Sequence, residues 1–419
     1  MQASRYSNVT LHKAFMPEAF GTHHTKMMVL LRHDDLAQII IHTANLIRRD
    51  WANLSQAVWT SPLLPLRPSG APPPLDNPPM GSGARFKIDF LNYLRAYNTK
   101  RTICQPLIEQ LSKYDFSEIR GALVASVPGR HSVDSDVETK WGWQSLREVL
   151  SSVPVKRGET PEIVLQISSI ATLGQTNLWL DKTLFKSLGT SKSAASPAPK
   201  YKIIFPTPDE IRRSLDGYQS GASIHTKIQT AAQLKQLQYL KPILHHWAGD
   251  GGQQHSSTSS SSANGRSFRG FAVGDVAKST DSASHAREAG RRRAAPHIKT
   301  YIRFCDASKT QIDWALVTSA NISKQAWGEA CNALGEARIC SYELGVLVWP
   351  ELWDENAKMV PTFKQDMPIV EDPSAVDGKV SLMLLVICDH GVLYSLRCTM
   401  HVATPANSTA GTCWFQNAI

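Results

Sequence analysis

The chain has 419 residues, 42% of them hydrophobic and 19% charged, enough for two or three ordinary domains around a sizeable core. Its 45 Lys and Arg against 36 Asp and Glu leave a net charge of 45 − 36 = +9, which favours an anionic partner such as nucleic acid or an anionic surface without choosing between them. The seven cysteines are odd in number and form no CxxC pair, which argues against a disulfide framework or a thiolate zinc site and for a reducing compartment.

The opening MQASRYSNVTLHKAF has no apolar core between basic residues and a small-residue cleavage site, so no signal peptide is expected. The longest apolar run, VSLMLLVIC at 380–388, is about half of the ~20 residues a spanning helix needs. A soluble, intracellular protein is expected. Next comes GTHHTKMMVLL at 21–31. Side chains at i and i+2 of a strand share a face, so His24 and Lys26 would project together while Met27 to Leu31 carry the strand inward. An imidazole beside a fixed ammonium suits a phosphate. The triplet decides nothing alone, because it recurs at His225 and Lys227.

Residues 61–84 are dense in Pro and Gly and read as a loop or linker. RFKIDFLNYLRAY follows with apolar residues at helical spacing. GALVASVPGR at 121–130 reads as a short strand ending in a Pro-Gly turn, and a domain boundary is expected just before it. The halves are then 1–120 and 121–375, with an atypical tail over 376–419. PEIVLQISSIATLG reads as a buried strand entering a Ser/Thr/Gly loop, and YKIIFPTPDEI as a strand leading to a helix. Strands alternating with helices imply an α/β architecture. Ser/Gly-rich residues 250–295 read as a disordered surface loop whose basic end, Arg291 to Arg293, is solvated.

An internal repeat gives the first triplet its meaning. HTKMMVLL is followed by QIIIHTANLIRRDW, and far downstream HIKTYIRF is followed by WALVTSANISKQAW. His24 and Lys26 match His297 and Lys299, and Asn45 matches Asn321. A Trp stands six residues past each Asn, at Trp51 and Trp327. The triplet at His225 lacks this context. Two such units facing each other across a pseudo-twofold axis would supply two His, two Lys and two Asn to one cleft. Two His on opposite sides of a phosphorus atom allow in-line displacement, one attacking while the other protonates the leaving oxygen. The Lys and Asn side chains would stabilise the equatorial oxygens. No metal or cofactor is then required, and His23 and His24, adjacent on a strand, are poor candidates for sharing one ion.

These motifs are similar to those of the phospholipase D superfamily. AFGTHHTKMM, IHTANLIRRDW, SPLLP, SVPGR, PHIKTY, VTSANISKQAWG and SYELGVLV together resemble the tyrosyl-DNA phosphodiesterase family, in order, from about residue 8 to about residue 365. The resemblance implies two pseudo-symmetric phospholipase D-like α/β/α sandwich halves sharing one central active site. It implies a DNA repair phosphodiesterase that removes 3′-phosphotyrosyl and other 3′-blocking adducts through a covalent phosphohistidine. His24 would be the nucleophile and His297 the acid, then the base; Lys26, Lys299, Asn45 and Asn321 would hold the phosphate. Gln56 and Glu343 match residues that bond the two rings. Phe20 matches an aromatic that stacks on a base, and Ser169 to Thr172 and Ser323 match positions that meet DNA phosphates. The implied partners are DNA with 3′-blocked ends and a topoisomerase-derived tyrosyl peptide, with no membrane and no metal, for a nuclear monomer. The family's first half has strands ahead of the first His motif that this sequence does not show, and its C-terminal segment differs from the tail. Alternative readings are another phospholipase D-type phosphodiesterase or nuclease, or an inactive DNA-binding remnant.

Overall fold

The computed structural model describes residues 14–70, 75–98, 102–134, 136–156, 160–193, 197–245 and 293–361 in full, and the backbone of 379–387 and 393–401. Most of the Ser/Gly-rich stretch, with Arg291 and Arg292, lies outside the described residues. In the first half, β1 (Met27–Leu31) pairs antiparallel with β2 (Leu36–His42). Behind β2 come α1 (Arg48–Ala52) and β3 (Leu54–Ser55). The chain then returns to β2 as β4 (Val58–Thr60) and β5 (Leu64–Pro65). The Pro-rich stretch is therefore more than a linker. Leu64 and Pro65 pair with Ala37 and Leu36 at its start, an edge position where a proline costs no ladder hydrogen bond.

The predicted helix after this stretch is α2 (Gly83–Arg95). Ser82 caps it by accepting from the backbone N–H of Arg85, and Phe86, Phe90, Tyr93, Leu94 and Tyr97 fall on one face at spacings of three and four. That face packs on the first sheet, with the Phe86 ring 5.3 Å from Trp59 and 6.0 Å from Phe90. α3 (Gln105–Ser112) closes the layer.

The second half runs through β6 (Ala122–Ser126), β7 (Gly129–Ser132), α4 (Trp143–Ser151), β8 (Glu162–Gln166) and β9 (Ser169–Ile170). A π-helical turn over Leu180–Phe185 continues into α5 (Lys186–Leu188), followed by β10 (Lys200–Ile204), α6 (Pro208–Arg212), β11 (His225–Thr226), α7 (Ala231–Leu240) and β12 (Leu244–His245). After the undescribed stretch come β13 (Ala295–Pro296), β14 (Thr300–Phe304), β15 (Ile312–Thr318), α8 (Lys324–Trp327), β16 (Glu336–Ile339), β17 (Glu343–Val348) and β18 (Lys358–Pro361). The large sheet runs β12-β10-β8-β14-β15-β17-β6, parallel from β12 to β8 and antiparallel beyond. In the tail, β19 (Lys379–Ile387) and β20 (Leu393–His401) form an antiparallel hairpin whose second strand pairs with β18.

The repeat is visible in the pairing. β1 with β2 matches β14 with β15, and the ladder His42↔Val58, Ile41↔Trp59 matches Thr318↔Gly345, Val317↔Val346. β14 is flanked by β8 and β15, whereas β1 pairs only with β2 among the described residues and leaves Leu30 and Leu31 exposed. One hydrophobic core joins the halves: Ile39, Ile41, Trp59 and α2 share it with Ile302, Phe304, Ala315 and Leu344. A second large core contains α4, α5 and Trp314.

The halves approach closely where the first triplet begins. A methyl group added at Gly21 would collide with the carbonyl oxygen of Cys340. Gly21→Ala is expected to lower stability by about 1–3 kcal/mol, the usual cost of overpacking. Gly221→Ala, with open space around it, should change it by less than about 0.5 kcal/mol. Urea unfolding of the two variants checks both.

Candidate active site

The site is built by each half seating the other's histidine. The segment before His297 pairs parallel with β3, Pro296 opposite Ser55, and the segment before His24 makes the matching parallel bridge of His23 with Tyr342. The backbone N–H of His297 donates to the Ser55 carbonyl at 3.0 Å, and that of His24 to the Tyr342 carbonyl at 3.0 Å. The residues after those anchors reach the rings. Glu343 takes the His24 Nδ1 at 2.9 Å, and Gln56 Oε1 stands 3.3 Å from the His297 Nδ1. With both Nδ1 atoms engaged, each ring presents Nε2.

The lysines obey the same symmetry. Lys26 Nζ donates to the carbonyl of His24 at 2.8 Å and Lys299 Nζ to that of His297 at 2.6 Å. Each ammonium is thereby fixed to the residue whose ring it accompanies. The strand ends behind them match too: Thr43 Oγ1 donates to Gln56 Oε1 at 2.7 Å, and Ser319 Oγ to Glu343 Oε2 at 2.5 Å. Sequence reasoning missed both hydroxyls. Both stand two residues before the repeated Asn, which was the available signal.

The two asparagines are held differently. Asn321 Oδ1 accepts from the backbone N–H groups of Ser168 and Ser169, both at 3.0 Å. Asn45 Nδ2 instead donates at 2.9 Å to Asp50 Oδ2, which also accepts from the Asn45 backbone at 2.6 Å and lies 3.2 Å from the His297 Nδ1. Sequence reasoning missed Asp50. An acidic residue at the end of LIRRD reads as a solvated helix position, yet its side chain is fully buried.

Phe20 is 81% exposed, so it is no core residue. Ser323 caps α8 by accepting from the Ala326 N–H at 3.0 Å, as an N-cap serine does, and remains half-buried. Ser169 is half-buried on β9, and exposed Thr172 accepts from Gln233 Nε2 at 3.1 Å. The third triplet, His225 and Lys227, lies exposed at β11, where the His225 backbone N–H donates to the Ser168 carbonyl at 3.0 Å. His23 turns away from His24 and bonds the Tyr97 hydroxyl at 3.0 Å.

Electrostatically the cleft is poised for an anion. Burial depresses Lys26 to about 8, against the partial support of Glu343 and Asp50. Burial also drives Lys299 far below its ordinary value, and Lys26 adds repulsion. His297 lies well below the usual imidazole range because it is buried and faces Lys299, Lys26 and His24. Burial opposes ionisation of Glu343, but His24, Lys26 and Ser319 outweigh it and hold the carboxyl below its usual range. Burial pushes the Asp50 carboxyl up, against the pull of Asn45, Lys299 and Lys26. Among the described residues no group of three or more His, Cys, Asp or Glu could hold a metal ion.

A sequence profile of the tyrosyl-DNA phosphodiesterase family matches residues 1–385. The chain belongs to that family. Its members are phosphodiester hydrolases. The chain is 31% identical to a probable tyrosyl-DNA phosphodiesterase of Schizosaccharomyces pombe, over 87% of this chain and 71% of that protein. It is also 31% identical to tyrosyl-DNA phosphodiesterase 1 of Drosophila melanogaster and of Arabidopsis thaliana, over 90% and 84% of this chain. It spans only 59% and 50% of those two proteins. The crystal structure of the yeast tyrosyl-DNA phosphodiesterase shares the fold, with a TM-score of 0.56 and 22% identity over 82% of this chain and 70% of that one. The α/β fold expected from strands alternating with helices is thus the family's own.

The Lys26 shift fixes the sign of a pH effect. Between about 8 and the 10.5 of a free lysine the native ammonium is deprotonated while the unfolded one is not. Raising the pH through this window should stabilise the fold and weaken its hold on an anion. Calorimetric titration with inorganic phosphate is expected to give several-fold weaker binding at pH 9 than at pH 7, with proton uptake on binding at pH 9.

Proposed function

We propose that this chain hydrolyses the phosphodiester between a DNA 3′ end and a blocking group, a tyrosine-bearing peptide foremost. What carries the proposal is the crosswise seating of the two histidines. Each ring is tied through Nδ1 to an acceptor from the opposite half, which leaves two Nε2 atoms for one phosphate. In the first step the His24 Nε2 attacks phosphorus, the bond to the tyrosyl oxygen breaks, and His297 gives that oxygen its proton. In the second, His297 takes a proton from water, the water oxygen bonds phosphorus, and the phosphorus–nitrogen bond breaks to leave a 3′-phosphate.

The environments suit these roles. His24, with a quarter of its side chain exposed, is the more accessible ring, and the Glu343 carboxylate holds its Nδ1. His297 is almost fully buried and faces Lys299 and Lys26, so holding a proton there depends on negative charge close to the ring. Lys26 and Lys299 supply positive charge to the equatorial oxygens, where fixed donors lower the barrier most. Asn45 and Asn321 would add amide contacts to the same phosphate. Exposed Phe20 offers a stacking surface for a base, and Ser169, Thr172 and Ser323 would meet backbone phosphates. A nuclear location and monomeric action follow from a DNA-end substrate met one at a time.

The deciding experiment is tyrosine release from a 3′-phosphotyrosyl oligonucleotide in EDTA. The chain should leave a 3′-phosphate without added metal. His24→Ala should abolish turnover, while His297→Ala should let a covalent protein–DNA adduct accumulate. Parent-like behaviour of both variants overturns the mechanism.

A further inference from the structure

The two halves seat their rings in matching ways but surround the two Nδ1 atoms with different acceptors. His24 has a single acceptor residue, the Glu343 carboxylate, at its Nδ1. His297 has two within reach: the neutral Gln56 amide oxygen at 3.3 Å, already accepting from Thr43 at 2.7 Å, and Asp50 Oδ2 at 3.2 Å. The position matching Asp50 in the repeat is Ala326, counting five residues past each Asn. The carboxylate is an addition to one half, aimed at the other half's ring. It is fully buried, it is oriented by the two Asn45 donors, and its Oδ1 has no hydrogen-bond partner. Burying such a group is expensive unless it meets a charge.

We propose that Asp50 is the charge partner of His297, a positioning residue whose carboxylate beside the ring Nδ1 stabilises the protonated form. The inference rests on His297 serving as acid and then base. Gln56 sets the orientation but, being neutral, stabilises an imidazolium only weakly. The charged groups facing His297 are Lys299 from its own segment and Lys26 and His24 from the first half, all opposing protonation. Glu343 lies beyond, acting on Lys299, and a Thr43 backbone group favours the charged ring. Asp50 is the carboxylate in contact with the imidazole. By bonding Asn45 at the same time, it ties the ring's charge state to the position of a phosphate-side amide.

The test uses Asp50→Asn in the full chain, which keeps the shape and removes the charge. Single-turnover tyrosine release should retain its acid limb while its alkaline limb moves at least one pH unit lower, with at least tenfold loss of rate at pH 8. Binding of an uncleavable 3′-phosphate oligonucleotide should hold within about twofold. A uniformly slower variant with the parent's pH profile would make Asp50 merely structural and overturn the proposal. NMR of the parent chain reads the pair directly, independent of turnover and of whether the variant folds. The Asp50 carboxyl carbon should report an ionised group at pH 7, in step with a protonated Nδ1 on His297. A protonated Asp50 at that pH overturns the proposal. Absence of tyrosine release by the parent would instead sink the functional reading and leave the NMR result to decide the pairing.

Discussion

Everything at the centre of this molecule depends on one constraint: neither histidine can be oriented by its own half. The His24 ring is held by Glu343 and its backbone by Tyr342, both from the far end of the chain. His297 is held by Ser55, Gln56 and Asp50 from the near end. A repeat that builds each ring's socket on the other copy makes the site a property of the docked pair. The shared core between α2, the first sheet and β14, β15 and β17 is what fixes the docking. Packing therefore reaches the chemistry through few intermediaries.

The sequence revealed the repeat because the His-x-Lys triplet and the Asn-to-Trp interval keep their spacing in both copies. That spacing predicted two strands and a cleft, and the pairing of β1 with β2 and β14 with β15 has that form. It also located α2, whose aromatic face is periodic, and the strand at Ala122–Ser126. Contacts between residues far apart in the chain leave no local pattern. Asp50 looks like a surface acid until the fold places His297 against it, and β5 hides in a Pro-rich run because a two-residue edge strand has no periodicity. The tail hairpin likewise had no sequence account, though its backbone extends the large sheet through β18.

Symmetry also shows where the halves have diverged. Asn321 is fixed by backbone N–H groups, Asn45 by a carboxylate; Trp327 donates to the Tyr301 hydroxyl, whereas Trp51 donates to the carbonyl of Asn45. The common frame sets where groups stand, and these neighbours set what charge they carry. Two copies of one scaffold can then perform unequal tasks, with a partly exposed ring on a carboxylate and a buried one between ammonium groups.

The lysine contacts have a further consequence. Each ammonium spends one of its three N–H groups on the carbonyl of the histidine two residues earlier, leaving two to point elsewhere. Ring and ammonium thus hang from one peptide segment and move as one body. An incoming oxyanion meets donors whose directions were set during folding, so little reorientation remains when charge shifts along the reaction axis. A flexible side chain is made to behave like a rigid one.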